Sequence, residues 1–138
     1  MCKKKELAFT LQMIQEDVRN NSVWNYRHWL LEQGAGDWEG ELDFVVDWIK
    51  KSPNNISTWS FYSSALKKHF KAQNLASLCD HFDAFEVKPV NYLSFLVDMQ
   101  AEGFIEKQKA IDACEALVKS DEMRSKYWHH CLCILQKK

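Results

Sequence analysis

This sequence predicts an all-α protein of stacked antiparallel helix hairpins, and three observations carry that prediction. Only four glycines and two prolines occur in 138 residues, so turns are few. Apolar residues recur at helical rather than strand spacing along most of the chain. A large aromatic returns at Trp24, Trp59, Phe95 and Trp128, with separations of 35, 36 and 33 residues.

The elements follow in order. Leu7, Leu11 and Ile14 form a short first stripe. Asn20 or Asn21 then caps a helix, and Trp24 stands one turn inside it. Gly34-Ala35-Gly36-Asp37 closes that helix, because glycine accepts the left-handed backbone of a helix end. Leu42, Val45, Val46 and Ile49 give the next apolar face. Ser52-Pro53-Asn54-Asn55 supplies a proline that cannot lie inside a helix and a cap before Trp59. The cations of Lys67-Lys68-His69 suit the negative end of a helix dipole. Leu75, Leu78, Cys79 and Phe82 form another stripe. Lys88-Pro89-Val90-Asn91 likewise supplies a proline and a cap residue, Asn91, before Phe95. Ala110, Ile111, Cys114, Leu117 and Val118 make a further face, and Ser120-Asp121 caps the last helix, which holds Trp128.

Eight helices result. They form a single helical-repeat domain over 1–138, with a partial unit near 1–17, pairs near 20–51, 54–86 and 90–119, and a terminal helix near 121–136. Trp24, Trp59, Phe95 and Trp128 each fall near the start of a pair's second helix, where they wedge between successive hairpins. A hairpin this small cannot bury its apolar face alone, so stacking must do so.

A net charge of −1 and a pI near 6.5 remove the electrostatic footprint of a nucleic-acid binder. Lys3-Lys4-Lys5, the one short basic run, reads as a solvated tail. No apolar stretch approaches the ~20 residues of a membrane span, so no membrane insertion is expected. Five cysteines without framework spacing suit a reducing compartment, and a soluble cytoplasmic protein is expected.

Capping and wedging leave Asn25 and Arg27 over. Arg27 shares a helix face with Trp24, three residues away. It is either a structural arginine bonded to carbonyls or a carboxylate of the next hairpin, or it faces a groove that receives an anion or a partner. Trp29 is expected in the hairpin interior, and Tyr26 and His28 are able to reach a partner groove. His129, His130, Cys131 and Cys133 fan around one helix and cannot converge on a metal, with Cys131 on an apolar face beside Tyr127, Ile134 and Leu135. Cys79 belongs to its apolar stripe, and Asp80 and His81 to a solvated arc. No metal ligands and no catalytic residue are assigned to this chain.

The stretches "EDVRNNSVWNYRHWLLE" and "KKSPNNISTWSFYSSALKK" resemble repeats of the protein prenyltransferase α subunit. More narrowly, they resemble the subunit shared by protein farnesyltransferase and type I geranylgeranyltransferase. That family's Asn-x-x-x-Trp-Asn-x-Arg core is matched by Asn20 or Asn21, Trp24, Asn25 and Arg27. "YLSFLVDM" and "RSKYWHHCL" are similar to its final repeats. The resemblance runs from about Glu6 onward and implies a right-handed α–α superhelix wrapping a separate β subunit. Zinc, with magnesium, is then expected in the holoenzyme through that β subunit, where a CaaX-protein thiolate attacks a prenyl diphosphate. Arg19, Asn20, Asn21, Asn25 and Arg27 would lie at the surface toward the β subunit and the diphosphate. The family's catalytic lysine sits in a Lys-Asn-Tyr motif one repeat ahead of the match, and Arg19 occupies only the corresponding place one repeat later. Lys3 to Asp17 resembles the second helix of that missing repeat, which would leave Leu11 and Ile14 partly uncovered and the chain poorly soluble alone. The chain thus resembles a C-terminal portion of an α subunit, inactive in isolation. A stand-alone adaptor that binds a protein partner, or the α subunit of a Rab-type geranylgeranyltransferase, are the alternatives.

Overall fold

The first amides of a helix have no partner inside it, and at Asn20, Asp37 and Asn55 of this chain a side chain supplies one. The computed structural model describes residues 3–70, 82, 85 and 88–137. Among these residues it is 80% helix, with no strand. Seven α-helices are described: α1 (Lys3–Glu16), α2 (Asn21–Glu32), α3 (Trp38–Lys51), α4 (Ile56–His69), α5 (Val90–Ala101), α6 (Lys107–Ser120) and α7 (Ser125–Lys137). The stripe at Leu75, Leu78 and Cys79 lies outside the described residues, as do Asp80 and His81. The chain divides into two compact units, Met1–Phe70 and Lys71–Lys138.

In the first unit α1 packs on α2, α3 on α4, and α2 on α4. Asn20 caps α2 by accepting the Val23 amide, and Asp37 caps α3 by accepting those of Glu39 and Gly40. Asn55 caps α4 through the Ser57 amide. Gly34 takes a φ of 85° after α2, letting the Ala35 amide reach back to the Leu30 carbonyl. Ile14, Trp24, Val45, Ile49, Ala65 and Leu66 are buried between these helices. Ile14 is fully covered and Leu11 half-buried, because α1 has α2 as its hairpin partner. The expectation that both would be partly uncovered therefore fails for Ile14.

In the second unit α6 packs against both α5 and α7. Gly103 repeats the helix ending of Gly34, with φ 83° and the Phe104 amide bonded to the Met99 carbonyl. Phe82 is fully buried against Tyr92 and Phe95. Ala110, Cys114 and Leu117 are also fully buried, as helical spacing predicts. Two predicted caps are different. Asn91 lies inside α5, whose N-cap is the extended Pro89 with no side-chain hydrogen bond. Asp121 turns its carboxylate to the Trp128 indole and the Arg124 guanidinium, ahead of a 3-10 turn at Glu122–Arg124. The face of α7 is only half covered. Trp128 and Leu135 are buried, whereas Tyr127 and Ile134 are exposed and Cys131 is half-buried.

Candidate functional site

The polar edge at the start of α2 is built on a shared backbone acceptor. The turn from α1 to α2 points the Val18 carbonyl inward, where it accepts the Trp24 indole N–H at 2.8 Å. The same oxygen accepts the side-chain amide of Asn55, also at 2.8 Å. Asn55 thus works twice, capping α4 with its oxygen and tying that cap to the preceding turn with its nitrogen. Trp59 repeats the indole bond six residues back, to the Pro53 carbonyl. Trp24 is buried with its ring 6.1 Å from Phe44 of α3 and 5.2 Å from Phe61 of α4. It fills the seam between the two hairpins. Trp59, Phe95 and Trp128 are buried as well.

Arg27 resolves the sequence's ambiguity. It is 6% exposed, so the expected surface position is corrected. Its Nε and Nη2 donate to the two carboxylate oxygens of Glu41, the second at 2.8 Å. Its Nη1 donates to the Leu7 carbonyl and the Thr10 hydroxyl. The guanidinium also lies 4.4 Å from the centre of the Phe44 ring. A fork-to-fork pair of this kind is short and directional, and it locks α2 to α3 while α1 supplies the remaining acceptors. Sequence reasoning missed Glu41. The signal was available, since Glu41, Val45 and Ile49 are four residues apart on one buried face.

With Arg27 turned inward, the edge keeps Arg19, Asn21 and Asn25 exposed and Asn20 half-buried. Asn21 and Asn25 stand one turn apart on the same side of α2. Arg19 follows Asp17, whose carboxylate holds the Arg19 amide at 3.1 Å and fixes the turn. Trp29 is 50% exposed and stacks on Tyr26, so it is not interior. Tyr26 donates its hydroxyl to Glu6. His28 sits in the seam beside Trp38, Phe61 and Ser64, and burial pushes its pKa below the ordinary 6.5 despite Glu32 nearby.

Among the described residues, no three His, Cys, Asp or Glu side chains converge to hold a metal ion, and no step is assigned to one here. No helix among them is long and apolar enough to cross a membrane.

The family described as protein prenyltransferase alpha subunit repeat matches at residues 3–34 and 38–69, which are the α1–α2 and α3–α4 hairpins. The two matches span 64 of the 138 residues, and over them the chain resembles that family. The matched units start one helix earlier than the pairs read at 20–51 and 54–86. Over 140 residues the chain is 29% identical to a Dictyostelium discoideum protein named farnesyltransferase/geranylgeranyltransferase type-1 subunit alpha, covering 90% of this chain and 42% of that protein. Proteins of the same name from Pisum sativum and Arabidopsis thaliana are each 27% identical, over 81% and 84% of this chain and 37% and 39% of theirs. The chain spans about two fifths of these curated relatives.

Proposed function

We propose that this chain is the α-subunit segment of a heterodimeric CaaX protein prenyltransferase and that it scaffolds a zinc-holding β subunit beside the prenyl-diphosphate site. The two repeat matches and the relatives' names support this reading. The observation that carries it further is the exposed edge of Arg19, Asn21 and Asn25 beside the Asn20 cap. The Trp24 and Arg27 seam holds that edge in place from behind. A guanidinium and side-chain amides are donors of the kind that stabilise a departing diphosphate when fixed in advance. Arg27 contributes by rigidity and makes no contact with the partner. On this reading the chain supplies the scaffold and the β subunit the chemistry, so the chain alone should transfer no prenyl group.

Co-purification with a type I prenyltransferase β subunit tests the reading. Arg19→Glu combined with Asn21→Ala and Asn25→Ala should weaken binding at least tenfold, about 1.4 kcal/mol, with unchanged helix content by circular dichroism. Wild-type affinity in the triple variant overturns the interface assignment.

A further inference from the structure

Two thiols of the second unit face each other across the α6–α7 hairpin. The helices pack on one another and are joined through the 3-10 turn at Glu122–Arg124, so positions equally far from that turn stand at one level. Leu117 lies three residues before Ser120, the last of α6, and Trp128 three after Ser125, the first of α7. Ala110 and Leu135 lie ten residues out on each side, and all four are buried. Cys114 and Cys131 are the pair between these two, each six residues from its helix end. Ala110, Cys114 and Leu117 thus form one row of α6, and Trp128, Cys131 and Leu135 the facing row of α7.

The two thiols differ in access. Cys114 is fully buried and Cys131 half-buried. Burial pushes the Cys114 thiol up to about 11, and Cys131 is near enough to add to the shift. On its other side Cys131 is hydrogen-bonded to the hydroxyl of Tyr127, an exposed residue, and the bond holds that phenol above its ordinary pKa. Cys131 therefore has an inner side toward Cys114 and an outer side that solvent reaches. Cys133 is the more exposed thiol, but two residues further on it points about 200° around the helix, away from α6. Small side chains at Ala110 and Ala113 keep this stretch of α6 slim, which suits the short span of a disulfide.

We propose that Cys114 and Cys131 form a reversible oxidation site, which hydrogen peroxide converts to a disulfide joining α6 to α7. The Cys131 thiolate attacks one peroxide oxygen, so that an S–O bond forms and the O–O bond breaks. The departing hydroxide takes up the proton the thiol had lost and becomes water. The Cys114 thiolate then attacks the sulfenic sulfur of Cys131, forming the S–S bond and breaking the S–O bond. That hydroxide leaves as a second water with the Cys114 proton. The thiols lose two electrons together, and the peroxide gains them. Access sets the order, because peroxide reaches Cys131 and not Cys114. This assignment does not rest on the β-subunit reading.

Peroxide treatment of the full chain tests it. Remaining thiols are blocked with iodoacetamide, and chymotrypsin, which cuts after Leu132, separates Cys131 from Cys133 before mass spectrometry. A peptide pair joined through Cys114 and Cys131, two hydrogens lighter than its parts, should appear and should vanish with dithiothreitol. Cys131→Ser should abolish the bridge and leave Cys114 reduced at the same dose. Cys114→Ala should leave Cys131 as a sulfenic acid that dimedone captures. A treated chain with the two thiols unbridged overturns the inference, as does a bridge from Cys133 to either thiol or a bridge between chains. Oxidation of Cys114 in the Cys131→Ser chain overturns it too, and so does absence of dimedone capture in a folded Cys114→Ala chain. Should Cys114→Ala lose its helix content by circular dichroism, the wild-type map and the Cys131→Ser chain decide the matter.

Discussion

Replacing Glu41 by alanine strands the Arg27 guanidinium inside the seam between hairpins. Arg27 is 6% exposed and gives two of its bonds to Glu41. The Leu7 carbonyl and Thr10 hydroxyl remain as acceptors, but neither carries charge. Removing one partner of a buried pair costs about 3–5 kcal/mol, chiefly because an uncompensated charge stays behind. With a urea dependence of about 2 kcal/mol per molar, the unfolding midpoint should fall by roughly 1.5–2.5 M. Urea titration followed by tryptophan fluorescence reads this directly, since Trp24 lies in the same seam. The double variant Arg27→Met with Glu41→Leu removes both charges and should recover most of the loss, because apolar replacements of such pairs are often neutral or better. Glu6→Ala, where the carboxylate accepts the exposed Tyr26 hydroxyl, should change stability by no more than about 0.5 kcal/mol. A Glu41→Ala loss under about 1 kcal/mol, or a double variant no more stable than Glu41→Ala, would refute the pair's assigned role.

Asn20→Asp should be nearly neutral, since aspartate caps helices as well as asparagine does. The same change at Asn55 should cost about 1–3 kcal/mol, because it deletes the amide that bonds the Val18 carbonyl; paired urea titrations compare the two. Because burial lowers the His28 pKa, the unfolded chain takes up that proton more readily than the folded one. The seam's contribution is therefore fully present above the unfolded value of 6.5 and is lost as pH falls through the lower folded value. Urea midpoints should drop between neutral and mildly acidic pH, and His28→Gln should flatten that drop. Burial raises the Cys114 thiol to about 11, with Cys131 adding to the shift. Mass-mapped alkylation at mildly alkaline pH should label exposed Cys133 promptly and Cys114 only after denaturant is added.

The sequence was most readable where a residue's role follows from its own periodicity. Trp24 and Trp59 announced the seam by spacing, and Gly34 announced a helix end. Roles set by a distant backbone atom were not readable. Nothing in the letters joins Asn55 to Val18, because the acceptor is a carbonyl that every residue possesses. Asn91 resembled a cap by position, but Pro89 already supplied the extended entry and the helix began ahead of it. Asp121 had better partners in the Trp128 indole and Arg124 than in an amide. Trp29 shows the limit of hydrophobicity as a guide. Its ring is half exposed and stacks on Tyr26, whose hydroxyl bonds Glu6, so it serves an outer face rather than the hairpin interior. At the polar edge, Arg19, Asn21 and Asn25 were legible as surface groups, whereas Arg27 could be placed only once Glu41 was known.

The Val18 carbonyl has two lone pairs and spends both, one on an indole and one on an amide from the following unit. A main-chain oxygen cannot be mutated away, so the phase between consecutive units survives any side chain at position 18. Drift can then erode the recognisable letters of later repeats while their spacing persists. Inserting a single residue between Val18 and Trp24 would do more harm than most substitutions, because it slides one donor out of reach of an acceptor that the other still holds.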